Sequence, residues 1–180
     1  MLKIDQILQR IRTLKWKCKY HNKLIMDGME AFHKNTNLLI TENGSVKMGK
    51  KISTNSNVHL TACSDGVMTL GDNVSFNRND IVICRHHITI GNHVAFGPNV
   101  LIYDHDHVFT KEGFKSTEYK TGAVIIENDC WIGANVTILR NTHIGEGCII
   151  GAGTVVSGTI PAHSIVKANR EISITPIEDR

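Results

Sequence analysis

At the root of the chain's longest aperiodic stretch, residues 103–123, stands Asp104-His105-Asp106-His107. In an extended segment successive side chains alternate, so both histidines would project to one side and both aspartates to the other. Histidine's unperturbed pKa near 6.5 leaves it mostly neutral at pH 7 yet able to take a proton. Either imidazole therefore suits a general base acting on a hydroxyl, a role typically contributing about 10² to 10⁴ in rate. Asp104 or Asp106 would orient such an imidazole and stabilise its protonated form, or simply begin the turn, for which aspartate is equally suited. Upstream, Arg85-His86-His87 adds two imidazoles and a guanidinium, which is a fork for a carboxylate or phosphate; its other reading is a polar corner in water. His86, His87, His105 and His107 could supply zinc ligands, but alternating His and Asp is no specific ligand spacing, and no metal is expected.

These residues interrupt a strict repeat. Every sixth residue from 126 is aliphatic: Ile126, Ile132, Ile138, Ile144, Ile150 and Val156. A helix repeats every 3.6 residues and the faces of a strand every two, so a period of six is the mark of a solenoid whose stacked coils share one core. Glycine follows the track at Gly133, Gly145 and Gly151, and compact residues hold the fifth place at Val136, Thr142, Cys148 and Thr154. Upstream the track reads Ile40, Val46, Ile52, Val58, Ser64, Leu70, Phe76, Val82 and Ile88, which starts the solenoid near residue 38. The phase then moves by two, continuing through Ile90, Phe96 and Ile102, so a two-residue bulge is expected between Asn77 and Ile88, of the kind that re-aims side chains at functional sites. Residues 103–123 leave the solenoid and return in phase. A long loop of this kind is frequently functional, and it carries Tyr103 and Tyr119.

The domain plan is a helical and irregular segment over 1–37, the solenoid over 38–170 with its loop at 103–123, and a tail over 171–180. Residues 2–20 place Ile4, Ile7, Leu8, Ile11 and Leu14 at helical spacing among lysines and arginines. Such a helix either covers the open end of the solenoid or a neighbouring subunit, or lies on an anionic membrane surface. The net charge of +3 is mild and the basic residues are scattered, which argues against nucleic acid. No apolar run approaches the roughly 20 residues of a membrane span and no signal peptide is evident. Cys18, Cys63, Cys84, Cys130 and Cys148 form no CxxC pair and read as reduced thiols of a cytoplasmic protein.

The hexads Ile132-Gly-Ala-Asn-Val-Thr, Ile144-Gly-Glu-Gly-Cys-Ile and Ile150-Gly-Ala-Gly-Thr-Val resemble those of the hexapeptide-repeat acyltransferases, and more specifically the sugar and xenobiotic O-acetyltransferases. The resemblance implies an all-β solenoid, a left-handed parallel β-helix with an N-terminal α-helix and one protruding loop. It also implies a homotrimer with active sites between subunits, acetyl-CoA as co-substrate and a saccharide acceptor, as in polysaccharide biosynthesis. Ungapped matching from Asn99 puts His107 at the family's general base, with His105 as rival and Asp106 or Asp104 as its partner. By the same resemblance Asn77 and Arg85 touch the acceptor, with Tyr103 and Tyr119 beside it. Arg85 stands where the family usually has an aspartate, so an acidic or nucleotide-linked sugar is expected. Trp131, Gly133 and Ala134, with Gly151 and Ala152, match the CoA groove; Lys167 and Arg170 would pair with its phosphates. The segment Ala168-Asn-Arg-Glu171 departs from the family's usual closing sequence. Amino-sugar N-acetylation is the nearest other activity; a γ-class carbonic anhydrase-like zinc enzyme and a non-catalytic scaffold are the more distant ones.

Overall fold

A computed structural model describes residues 4–28 and 30–169. Helix α1 (Ile4–Tyr20) leads through a short 3₁₀ turn, His21–Lys23, into a parallel solenoid. The solenoid is a left-handed β-helix of about 6 turns. Its first coil holds β1 (Leu24–Met26), β2 (Ala31–Phe32) and β3 (Asn37–Ile40); its second holds β4 (Ser45–Met48), β5 (Ser53–Thr54) and β6 (His59–Ala62). The third comprises β7 (Val67–Leu70), β8 (Ser75–Phe76) and β9 (Ile81–Cys84), and the fourth β10 (His87–Ile90), β11 (Ala95–Phe96) and β12 (Leu101–Tyr103). An excursion made of β13 (His105–Thr110) and β14 (Gly113–Thr121) follows. The remaining coils are built from β15 (Val124–Ile126), β16 (Trp131–Ile132), β17 (Thr137–Ile144), β18 (Ile149–Ile150), β19 (Val155–Ile160) and β20 (Ile165–Val166).

Side chains that the repeat sends inward stack in columns. Leu24, Val46, Met68, Ile88 and Val124 face one another through successive parallel pairs, and Leu38, Leu60, Val82, Ile102, Ile138 and Val156 form another column. All of these are buried, and each such aliphatic side chain contributes roughly 1.5–3 kcal/mol by leaving water. Phe76 and Phe96 stack within the core with ring centroids 4.9 Å apart. The corners are held by residues that tolerate a left-handed backbone: Asn57, Asn79, Asn99 and Asn135 have φ of 60°, 61°, 61° and 56°. Their amides form a ladder, each Nδ2 donating to the next coil's Oδ1.

The coils begin earlier than the six-residue track suggested. Leu24–Met26 already pairs with Val46–Met48, so residues 24–37, expected to be irregular, belong to the first coil. Except at half-buried Ser64, the upstream track landed on buried residues because each hexad turns two side chains inward, but it ran out of step with the strand columns. Successive partners Leu24, Val46, Met68 and Ile88 are 22, 22 and 20 residues apart, against 18 from Val124 to Thr142. The difference lies at one corner. It spans 41–44 and 63–66 in the first coils but only 85–86 in the third, so the phase shift is a shortened corner and not an inserted bulge. The same corner, one coil on, releases the excursion, which is an antiparallel hairpin and not an unstructured loop.

Helix α1 crosses the open end of the first coil. Trp16 meets Phe32 edge-on at 5.1 Å, Arg12 Nη1 donates to the Phe32 carbonyl at 2.8 Å, and Tyr20 Oη donates to that of Leu38 at 2.8 Å.

Candidate active site

Asp104 is the pin of the corner. Its side chain is fully buried, and its carboxylate accepts the backbone N–H groups of Arg85, His86 and His87 at 2.8 to 3.0 Å. Those donors belong to the shortened corner of the preceding coil, so one carboxylate ties the root of the hairpin to the turn beneath it. Burial alone would push this carboxyl up, but bonds from His105 and from the Arg85 and His86 backbone outweigh it and hold the group below the usual carboxylate range.

Both histidines of the motif project to one side of β13, as alternation requires. Their rings lie 5.5 Å (His105) and 4.6 Å (His107) from the Tyr119 ring, centroid to centroid. His105 Nδ1 faces Asp104 Oδ1 at 3.0 Å and its side chain is only 12% exposed, wedged between Tyr119 and Tyr103, the latter at 6.1 Å. His107 is exposed, and its Nδ1 lies 3.3 Å from the Lys115 carbonyl oxygen. A ring nitrogen that faces a carbonyl oxygen carries the proton, which leaves the lone pair on Nε2. A register shift between His107 and Val108 brings the Lys115 carbonyl there, since His107 pairs with Tyr119 while Val108 pairs with Lys115.

Asp106 serves neither imidazole. It points to the other side and accepts from Arg140 Nε at 2.5 Å; the carboxylate that faces an imidazole nitrogen is Asp104, beside His105. Arg85, expected as a free fork for an acidic acceptor, is engaged by the fold. Its guanidinium lies under the Tyr119 ring at 3.6 Å, Nη1 donates to Ser64 Oγ at 3.0 Å, and Nε is buried without an acceptor. His87 Nε2 lies 3.0 Å from Thr89 Oγ1 and His86 is exposed. Among the described residues no three His, Cys, Asp or Glu side chains gather as metal ligands.

The other expected site residues lie elsewhere on the protomer. Asn77 precedes β9 and Arg85 follows it, so the length of the strand separates them, roughly 13 Å for four residues. Asn77 Oδ1 accepts from Asn55 Nδ2 at 3.3 Å and from the Arg78 backbone at 2.9 Å. Trp131 sits outward on the seven-stranded sheet between Ala95 and Ile149, 56% exposed. At Gly133 an added Cβ would come within 2.7 Å of the Ala152 nitrogen, so coil stacking by itself demands glycine there. Gly151 packs beside Lys167, which is exposed like Ala152, and Ala134 is half-buried. Arg170 lies outside the described residues. Three partners escaped the sequence reading: Arg140, Ser64 and the Lys115 carbonyl. Each is set by stacking between coils or by the hairpin's register, which no local motif encodes.

Residues 123–158 match the family model described as bacterial transferase hexapeptide (six repeats). Over these residues the chain carries the hexapeptide repeat of bacterial transferases. It is 29% identical over 160 residues to Escherichia coli K12 WbbJ, named for an inferred O-acetyl transferase role in lipopolysaccharide biosynthesis, covering 80% of this chain and 82% of that one. To the galactoside O-acetyltransferase of the same organism it is 28% identical, covering 95% and 79%. Among solved structures it resembles the Bacillus cereus N-acyltransferase AntD, a single-site mutant in complex with dTDP-4-amino-4,6-dideoxyglucose and coenzyme A. That likeness has a TM-score of 0.65 with 18% identity, covering 88% of this chain and 90% of that one.

Proposed function

We propose that this acyltransferase moves acetyl from acetyl-CoA to a hydroxyl of a saccharide, with His107 as general base. The observation that carries the assignment is the exposed His107 ring, whose Nδ1 is turned to the Lys115 carbonyl so that a basic Nε2 faces outward. His107 takes the hydroxyl proton while the oxygen attacks the thioester carbonyl. The C–S bond then breaks and the imidazolium returns its proton to the leaving thiolate, without a covalent enzyme intermediate. Asp104 and His105 are positioning residues that hold the hairpin root; Tyr119 backs both imidazoles.

Acetyl-CoA use is supported by the acetyltransferase names of the relatives and by coenzyme A in the AntD complex. Trp131 fits the donor groove as an outward indole, with Lys167 beside Gly151 available to a phosphate. Within one protomer Trp131 lies on a different sheet from the strand that leads into the His107 hairpin, so we infer that a neighbouring subunit supplies it in a homotrimer. The sheet face bearing exposed Leu39 and Val155, with half-buried Ile81, Ile83, Leu101 and Leu139 between them, is apolar enough to meet that neighbour. The acceptor is a sugar; with Arg85 engaged by Tyr119 and Ser64, a negative charge on it loses its main support. Free-thiol release from acetyl-CoA against neutral, acidic, nucleotide-linked and amino sugars tests the proposal: release that requires a sugar hydroxyl is expected, and release only with amino sugars would replace O-transfer by N-transfer.

A further inference from the structure

Helix α1 packs on the solenoid with the wrong face for an ordinary amphipathic helix. The half-buried and buried positions are Gln9, Arg12, Thr13, Trp16, Lys17 and Tyr20, a helical stripe that is mostly polar. Its anchors are polar too: besides the Arg12 and Tyr20 bonds, Lys17 Nζ donates to the Met26 carbonyl at 3.1 Å. The aliphatic side chains point away from the domain, with Ile7 44%, Leu8 51%, Ile11 44% and Leu14 60% exposed. At 3.6 residues per turn, Ile7, Ile11 and Leu14 fall on one line, Leu8 and the exposed Lys15 and Lys19 on one flank, and Arg10 on the other. Beside Leu8 a groove lined by Arg12, Phe32, His33 and Lys34 extends the cationic border.

We propose that this outward stripe docks the enzyme on an anionic membrane surface, with Ile7, Leu8, Ile11 and Leu14 entering the headgroup boundary and Arg10, Lys15 and Lys19 meeting lipid phosphates. An apolar line bordered by cations on both sides is complementary to such a surface, because each partner charge lies at the level of the apolar boundary. A second copy fits less well. Pairing two stripes would set Arg10 and Lys15 against their own counterparts, and four side chains bury far less than the roughly 1,200 Å² of a stable interface. The helix lies on the surface and does not cross it: no described helix is long and apolar enough to span a membrane.

The test is flotation of the full-length protein with vesicles of phosphatidylcholine, with and without phosphatidylglycerol, alongside light-scattering mass and melting temperature. Wild type should float with the anionic vesicles, remain behind with the neutral ones, and be released by high salt. The variant Ile7→Ser/Ile11→Ser/Leu14→Ser and the variant Arg10→Gln/Lys15→Gln/Lys19→Gln should each lower vesicle binding at least about tenfold, with mass and melting temperature unchanged, as the substituted side chains are exposed. Failure of wild type to float, or binding unaltered in both variants, would overturn the proposal. So would a smaller assembly for the serine variant, which would assign the stripe to a second copy of the chain.

Discussion

His105 and His107 lay their rings against the same Tyr119, yet their Nδ1 atoms are held differently: one faces the buried Asp104 carboxylate at 3.0 Å, the other the Lys115 carbonyl at 3.3 Å. Both arrangements direct a lone pair to Nε2, so access separates the two. His105 is wedged and 12% exposed whereas His107 is open, and a base must reach its substrate before its chemistry matters.

Asp104 should be chiefly a residue of stability. Asp104→Ala leaves the backbone donors of residues 85 to 87 and the His105 ring without their acceptor, and should cost about 3–5 kcal/mol in denaturant unfolding. Because its folded pKa is depressed, the stabilisation is present above the unfolded carboxylate range and is lost as pH falls through the folded value. The difference between wild type and variant should therefore shrink only in acid. A difference constant from pH 7 down to pH 2 would contradict this.

Asp80 should behave in the opposite sense. It stands between Val58 and Val100 in an interior column that runs from Thr36 to Val136 and Thr154, 1% exposed, accepting from the Asn77 and Val100 backbone at 2.7 and 2.9 Å. Burial raises its pKa to about 7 despite those two bonds. The folded protein then binds a proton that the unfolded chain has released above about pH 4, so this group makes stability decline from about pH 4 to about pH 7 and level off beyond. In Asp80→Asn that decline should disappear, and unfolding curves at pH 5 and pH 8 should differ less than in wild type.

The Arg85 guanidinium under Tyr119 should hold the hairpin against the coil. Tyr119→Ala should speed tryptic cleavage at the exposed Lys111, Lys115 and Lys120 severalfold while leaving the solenoid's melting temperature within a few degrees, since the stack is worth about 0.5–2 kcal/mol. Arg85→Ala should do the same, and the double variant should add little to either. Fully additive effects would show that the two side chains act separately.

Most of the fold was legible because a six-residue period constrains every coil. Ile126 to Val156 predicted the columns that the later coils form. The first coils were less so, since their long corners stretch the repeat to 22 residues and a fixed six-step drifts from one inward position to the other. The histidine pair and the departure of the chain at residue 103 were also visible. The hairpin was not, because Val108–Thr110 and Gly113–Lys115 pair without a short turn signature. Nor was the choice between Asp104 and Asp106, which rests on which carboxylate meets the shortened corner of the coil below.

The most direct test of the account is the steady-state rate of sugar-dependent thiol release from acetyl-CoA for wild type, His107→Ala and His105→Ala, each checked for folding. His107→Ala should lose about 10² to 10⁴ in kcat with KM for acetyl-CoA nearly unchanged, and His105→Ala should lose about tenfold or less together with some stability. Near-wild-type turnover in His107→Ala, with collapse in a folded His105→Ala, would contradict the account and transfer the base to the Asp104-held imidazole.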